Sequence, residues 1–214
     1  MTAARLDASD PRERLAAASL LAGAFAKGAS PSYAWVLAGS ASGASAAQRE
    51  RLLAELFERN LALQEGDPAW CSRAADGRLQ AAFLLTPSDA QTISLCTMLR
   101  GGLLRVMWRM GMRSTMRLLQ LKGWHEKVHG KIMQGRRHLV LERMAVQVDC
   151  RGRGIGSAAL ASALAAVAAA EALPVLLATQ EERNVRFYSR LGFEVAHEEV
   201  FPEGVRNWFM VRQP

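Results

Sequence analysis

Cysteine is scarce in this chain: Cys71, Cys96 and Cys150 are the only three thiols in 214 residues. They are odd in number, far apart, and form neither a CxxC pair nor a zinc-ligand spacing. This excludes a disulfide framework and a thiolate metal site, and fits reduced thiols in an intracellular protein. The opening MTAARLDASDPRERLAA has no apolar core behind a basic start, so it does not read as a signal peptide, and a cytoplasmic location is expected. The Met-rich stretch near residues 93–121 is interrupted by Arg100, Arg105, Arg109, Arg113 and Arg117, too many charges for a membrane span. No repeat of solenoid period and no long polar tract is present, which excludes a repeat array and a largely disordered chain.

What remains is enough for one ordinary domain spanning 1–214, since 50% of the residues are hydrophobic. The net charge of +7 favours an anionic partner: nucleic acid, a membrane surface or a phosphorylated cofactor. Charge alone does not choose among them.

Asp10-Pro11 reads as an N-cap with proline in the first turn of a helix running to about Ala26. Pro31 and Pro68 punctuate loops, and Ala46 to about Leu63 has helical period. Trp70 to Leu85 forms a hairpin around Asp76-Gly77, with weak alternation, ended by Pro87. Residues 93–121 are helical, with a break expected at Gly101-Gly102; residues 93–137 would be a helical insertion that roofs a pocket. Then come a strand from His138 to Val148, a helix from Ile155 to Leu173, a buried strand Val175–Ala178 and a short helix from Asn184 stopped by Gly192. Strands Phe193–Phe201 and Asn207–Arg212 close the chain around Pro202-Glu203-Gly204. Strand, helix, strand makes a βαβ unit with parallel strands in a mixed α/β sheet.

Between the first strand and the strongest helix lies Arg151-Gly152-Arg153-Gly154-Ile155-Gly156. A helix N-terminus offers unpaired N–H groups and a positive dipole end, and glycines allow a pyrophosphate to approach the backbone. No Gly-Lys-Ser/Thr follows, so this is not a P-loop, and the spacing is not a dinucleotide fingerprint. A plain glycine turn with solvated arginines is the alternative reading.

The pattern 151–156, placed after Leu141–Val146, together with Asn184-Val-Arg-Phe-Tyr-Ser-Arg-Leu-Gly-Phe193, resembles the GNAT superfamily of N-acetyltransferases. Arg183–Tyr188, Pro202-Glu203-Gly204 and Trp208 resemble the group that includes puromycin acetyltransferase. The close resemblance covers about residues 138–212. It implies a GNAT-like mixed, centrally splayed β-sheet flanked by helices, and transfer of acetyl from acetyl-CoA to a primary amine, without a metal. It also implies a bulged strand at 141–146 whose Met144, Ala145 and Val146 border the pantetheine arm. Arg151, Gly152, Arg153, Gly154, Ile155, Gly156 and Ser157 would hold the pyrophosphate. Three positions depart from the family pattern: Val148 replaces a common proline, Glu181 a common asparagine, and Arg143 interrupts an apolar strand. Asn184 is a cofactor contact three residues later than the usual asparagine.

Tyr188 is the candidate donor to the leaving thiolate, or an aromatic that packs its helix. A phenol near 10 against a thiol near 8.5 makes a hydrogen bond as reasonable as full proton transfer. Glu142 is the candidate base, or a partner of Arg143. Regular alternation puts Glu142 on one face with Met144, and Leu141, Arg143 and Ala145 on the other, unless a bulge intervenes. His125, His129 and His138 are weaker candidates, His138 the best placed. Arg105, Arg109, Arg113 and Arg117 make an i,i+4 ridge, either a solvated face or an attractor for acidic groups. Met107, Met110, Met112 and Met116 would line a pocket or fill core. The expected partner is a small-molecule amine, with no nucleic acid and no membrane, in a monomer or homodimer. A non-catalytic acyl-CoA sensor and a protein or peptide acetyltransferase are the alternatives.

Overall fold

The computed structural model describes residues 2–26, 30–38, 45–64, 68–90, 101–201 and 204–214. Cys96, Arg100, residues 93–99 of the expected helical stretch, and Pro202-Glu203 lie outside the described residues.

The elements in chain order are β1 (Ala4–Arg5), α1 (Pro11–Ala24), α2 (Pro31–Leu37), α3 (Ala46–Leu63), β2 (Ala69–Arg73), β3 (Leu79–Pro87), α4 (Leu103–Met110), α5 (Met112–Met133), β4 (Leu139–Val146), α6 (Ile155–Ala170), β5 (Val175–Thr179), α7 (Glu182–Ser189), β6 (Glu194–Val200) and β7 (Arg206–Arg212). Local chemistry sets several starts. Asp10 accepts from the Arg12 N–H at 2.8 Å ahead of Pro11. Ser45 and Gln48 form a reciprocal capping box that begins α3. Pro31 does not merely end a loop: Ser30 caps α2, whose seven residues are too few to show a helical period in sequence.

The strand order is β1-β2-β3-β4-β5-β7-β6, antiparallel throughout except for the parallel β4–β5 pair. That pair is registered only at Leu139↔Val175 and Val140↔Leu176. Beyond it the two strands diverge, and the sheet is splayed at its centre.

Helices cover both faces. On one, Ala18 and Leu21 of α1 and Leu53 and Phe57 of α3 pack against Ala82, Leu84 and Ala145. On the other, Leu160, Ala163 and Leu164 of α6 pack against Phe83, Leu85, Leu139 and Leu141. Strand β3 is thus buried on both sides, which explains its weak polar alternation. The C-terminal half of α5 sets Val128 and Met133 on Leu176, Phe209 and Val211 beyond the splay.

Gly102 (φ +72°) stands directly before α4, and the ten residues ahead of Gly101 lie outside the described ones; a break that the sequence did not suggest falls at Gly111 (φ +86°), and α5 runs on to Met133. The arginine ridge is divided there. Arg109 pairs with Glu55, while Arg117 donates to the Trp35 carbonyl at 2.8 Å and stacks on its ring. Of the four methionines, Met107 lines the cavity described below, Met110 is buried, and Met112 and Met116 are exposed.

Candidate active site

Strand β4 carries an irregularity that decides where its side chains go. Glu142 is registered with Leu84 and Ala145 with Ala82, so Arg143 and Met144 together face the single Phe83. Arg143 takes φ +50°, a left-handed conformation uncommon for a residue with a Cβ. The extra residue resets the alternation. Met144 turns to the α6–α7 side, where the Tyr188 hydroxyl lies 4.0 Å from its sulfur. Ala145 joins the α1–α3 core. Regular alternation therefore fails here: Glu142 does not share a face with Met144, and Ala145 does not share one with Leu141.

Glu142 accepts from Arg143 Nη2 at 2.8 Å, and the guanidinium lies over the Phe57 ring. The arginine that interrupts an apolar strand is thus half of a part-buried ion pair. Tyr33 of α2 lies within electrostatic range of both charges.

At the far end of β4 the chain makes a short turn at Val148–Cys150 and buries Cys150 against Ala81 and Ile155. Gly152 and Gly154 adopt φ +74° and +73°, and Gly154 is the N-cap of α6, with no side-chain cap bond. The first-turn N–H groups, from Ile155, Gly156 and Ser157, have no acceptor within the helix. No heavy atom lies within 4 Å of where a Cβ on Gly152 or Gly154 would stand, so this face is open to an anion. Gly156 is different: its Cβ would meet a Val146 methyl at 2.9 Å, and its absence lets α6 sit on β4. Arg153 is exposed. Arg151 folds back, its Nε donating to the Val146 carbonyl at 3.1 Å, which occupies one of the strand groups expected to meet a ligand.

Tyr188 projects from α7 and packs edge-on against Phe187 and Phe193. Burial pushes its phenol well above the ordinary value, so it remains a protonated donor. Asn184 donates to Thr179 Oγ1 at 3.1 Å, tying α7 to the end of β5. Glu181 pairs with Arg183.

One cavity of about 1870 Å³ joins these parts. Its lining includes Gly154, Gly156, Asn184 and Tyr188 at one end, and Tyr33, Phe57, Glu142 and His125 at the other. A single small-molecule site usually occupies roughly 300–1,000 Å³, so this space suits two substrates meeting end to end. Ser30, Tyr33, Phe57 and Gln180, which belong to no recognisable motif, line it because α2, α3 and the β5–α7 turn converge there.

His125 and His129 also line the cavity, and each has a buried Nε2 without a hydrogen-bond partner. His138, the best placed in sequence, is instead fixed through Nδ1 to the Arg136 carbonyl at 2.8 Å. Burial lowers His125 and His129 to about 4. Unfolded imidazoles titrate near 6.5, so between these values the unfolded chain binds more protons. Stability from the two neutral rings is complete above about pH 6.5 and is lost as the pH falls toward 4. We expect the unfolding free energy from urea titration to drop between pH 7 and pH 5, by about 1–2 kcal/mol per imidazole. A His125→Gln, His129→Gln double variant should flatten that slope; an unchanged slope would show that neither ring is held neutral.

The acetyltransferase (GNAT) domain family model matches residues 121–195. Solved structures share the fold over nearly the whole chain. A Corynebacterium glutamicum protein described as histone acetyltransferase HPA2 and related acetyltransferase is 19% identical, with a TM-score of 0.65, covering 100% of this chain and 96% of that one. A polyamine N-acetyltransferase of Drosophila melanogaster, an enzyme that forms N-acetylagmatine, is 15% identical with a TM-score of 0.59, covering 99% of each chain. An N-acetyltransferase of Staphylococcus aureus is 10% identical with a TM-score of 0.60, covering 98% of each. With the glycine turn, the splayed sheet and the two-ended cavity already in place, the match has a direct meaning: residues 121–195 fit an acetyltransferase (GNAT) domain, the rest of the chain completes the fold that the solved acetyltransferases share, and together they support an acyltransferase.

Proposed function

We propose that the protein moves acetyl directly from acetyl-CoA to a primary amine of a small molecule. The observation that carries this reading is the two-pair β4–β5 ladder, which opens one cavity between a bare helix N-terminus and the Glu142 end. Acetyl-CoA supplies an acyl thioester, whose carbonyl an amine attacks with loss of thiolate.

The chain's residues divide the work. The N–H groups around Gly152, Gly154, Ile155, Gly156 and Ser157 hold the pyrophosphate, with positive charge from Arg151 and Arg153. Backbone groups of Met144, Ala145 and Val146 border the arm where β5 has parted from β4, and Asn184 fixes the opposite wall. Tyr188 donates a hydrogen bond to the departing sulfur. Glu142 takes the proton the amine sheds, directly or through water; Arg143 occupies one of its oxygens and leaves the other for the acceptor.

A small acceptor is supported by the fold neighbours named as polyamine and agmatine N-acetyltransferases, and by the Arg183–Tyr188 resemblance to the puromycin acetyltransferase group. The test is calorimetric titration of acetyl-CoA, then free-thiol release with polyamines, agmatine, aromatic amines and an N-terminal peptide. We expect binding, and release with at least one small amine. Release with the peptide alone would make the protein a peptide acetyltransferase. Binding without any release would leave an acyl-CoA sensor.

A further inference from the structure

The roof helices carry a face that the transfer reaction does not use. Trp108 is 83% exposed, Met112 78% and Met116 59%, and none of the three lines the cavity. Met112 and Met116, four residues apart, share one face of α5 and make an outward apolar stripe, and Trp108 stands exposed near the end of α4 on the other side of Gly111. Residues 101–125 contain Arg105, Arg109, Arg113, Arg117 and Lys122 and no aspartate or glutamate. Arg109 and Arg117 are held by Glu55 and Trp35. Arg105 and Arg113 are exposed beside the stripe and have no acidic partner among the described residues.

We propose that this face docks the protein on an anionic lipid bilayer. A tryptophan and long flexible apolar side chains exposed on neighbouring helix turns, flanked only by cations, suit a membrane interface. Each cation close to an anionic leaflet adds to the attraction. No helix among the described residues is long and apolar enough to cross a membrane, so the contact is peripheral. This departs from the sequence-based expectation of no membrane partner.

The same observations disfavour the other occupants. In a two-fold contact between copies, the patch meets itself. Arg105 and Arg113 would then face their own kind, with no acid in residues 101–125 to relieve them. Nucleic acid would match the charge, but Trp108 is the one ring of this face, and Met112 and Met116 offer none on which successive bases can stack. An acidic protein would need its own apolar groove to receive Trp108, whereas a bilayer accepts the side chain without one.

The full chain is sedimented with vesicles of phosphatidylcholine alone and of phosphatidylcholine with 30% phosphatidylserine, at low and high salt. We expect binding to the anionic vesicles, weakened by salt. Trp108→Ser with Met112→Ser should weaken it at least tenfold, and so should Arg105→Glu with Arg113→Glu. All four side chains point away from the cavity lining, so melting temperature and acetyl-CoA affinity should stay unchanged and report on folding. No binding to anionic vesicles at low salt overturns the proposal. So does binding that neither pair of substitutions reduces. Concentration-dependent self-association that Trp108→Ser abolishes, without vesicle binding, assigns the face to a second copy. Capture by polyglutamate as tight as by vesicles, indifferent to Trp108→Ser, assigns it to simple charge.

Discussion

Gly154→Glu is expected to weaken acetyl-CoA binding by at least about 100-fold, a loss of about 2.7 kcal/mol measured by calorimetry. Two effects combine. Gly154 stands at φ +73°, where a side chain costs about 1–2 kcal/mol in the backbone. The new carboxylate also enters the open space before the α6 N-terminus, where it competes with phosphate for the same N–H groups and dipole. Strain alone is separable from this competition. Gly135 also has positive φ, +77°, with nothing within 4 Å of its virtual Cβ, and it lies at the opposite end of β4. Gly135→Glu should therefore destabilise the fold to a similar degree and leave binding intact. Equal loss of binding in both variants would reduce the glycine turn to a structural feature.

Tyr188→Phe should lower kcat about 100- to 1,000-fold, the usual consequence of removing one donor aimed at developing negative charge. Acetyl-CoA affinity should hardly change. The ring contacts to Phe187 and Phe193 survive the substitution, and the lost contact to the Met144 sulfur, at 4.0 Å, is weak. Because burial raises the phenol's pKa, its ionisation should not appear in the alkaline limb of the rate profile below pH 10. A variant that turns over at the parental rate would leave Tyr188 as packing and move the donor role elsewhere.

The C-terminal half was largely legible in the sequence because its signals are local. A strand, a glycine turn and an alanine-rich helix lie next to one another in the chain, and their order alone implies a parallel pair with a ligand at the turn. The asymmetry of β4 was not legible. Its bulge falls on an arginine, not a glycine, and is fixed by pairing with β3, more than fifty residues upstream. Glu142 and Met144 were therefore assigned to one face when the structure sends them to opposite ones. The Glu142 end of the cavity was hidden for a similar reason. Tyr33, Phe57 and His125 come from three separate helices and carry no shared motif. The break at Gly111 was not legible, because a single glycine within a helical period does not by itself end a helix.

Strand β4 leaves β5 after Val140, and this puts an unpaired strand edge in the middle of the sheet rather than at its rim. Such an edge is a template for another chain. On the proposed reading the pantetheine arm fills the gap, so the ligand also acts as a guard against misassembly. Free protein would be the aggregation-prone and protease-sensitive form, and saturation would shift the folding balance by RT ln(1 + [L]/Kd). The amount of this protein that survives in a cell would then follow the supply of its acyl donor, a link between metabolism and abundance written into one short ladder of hydrogen bonds.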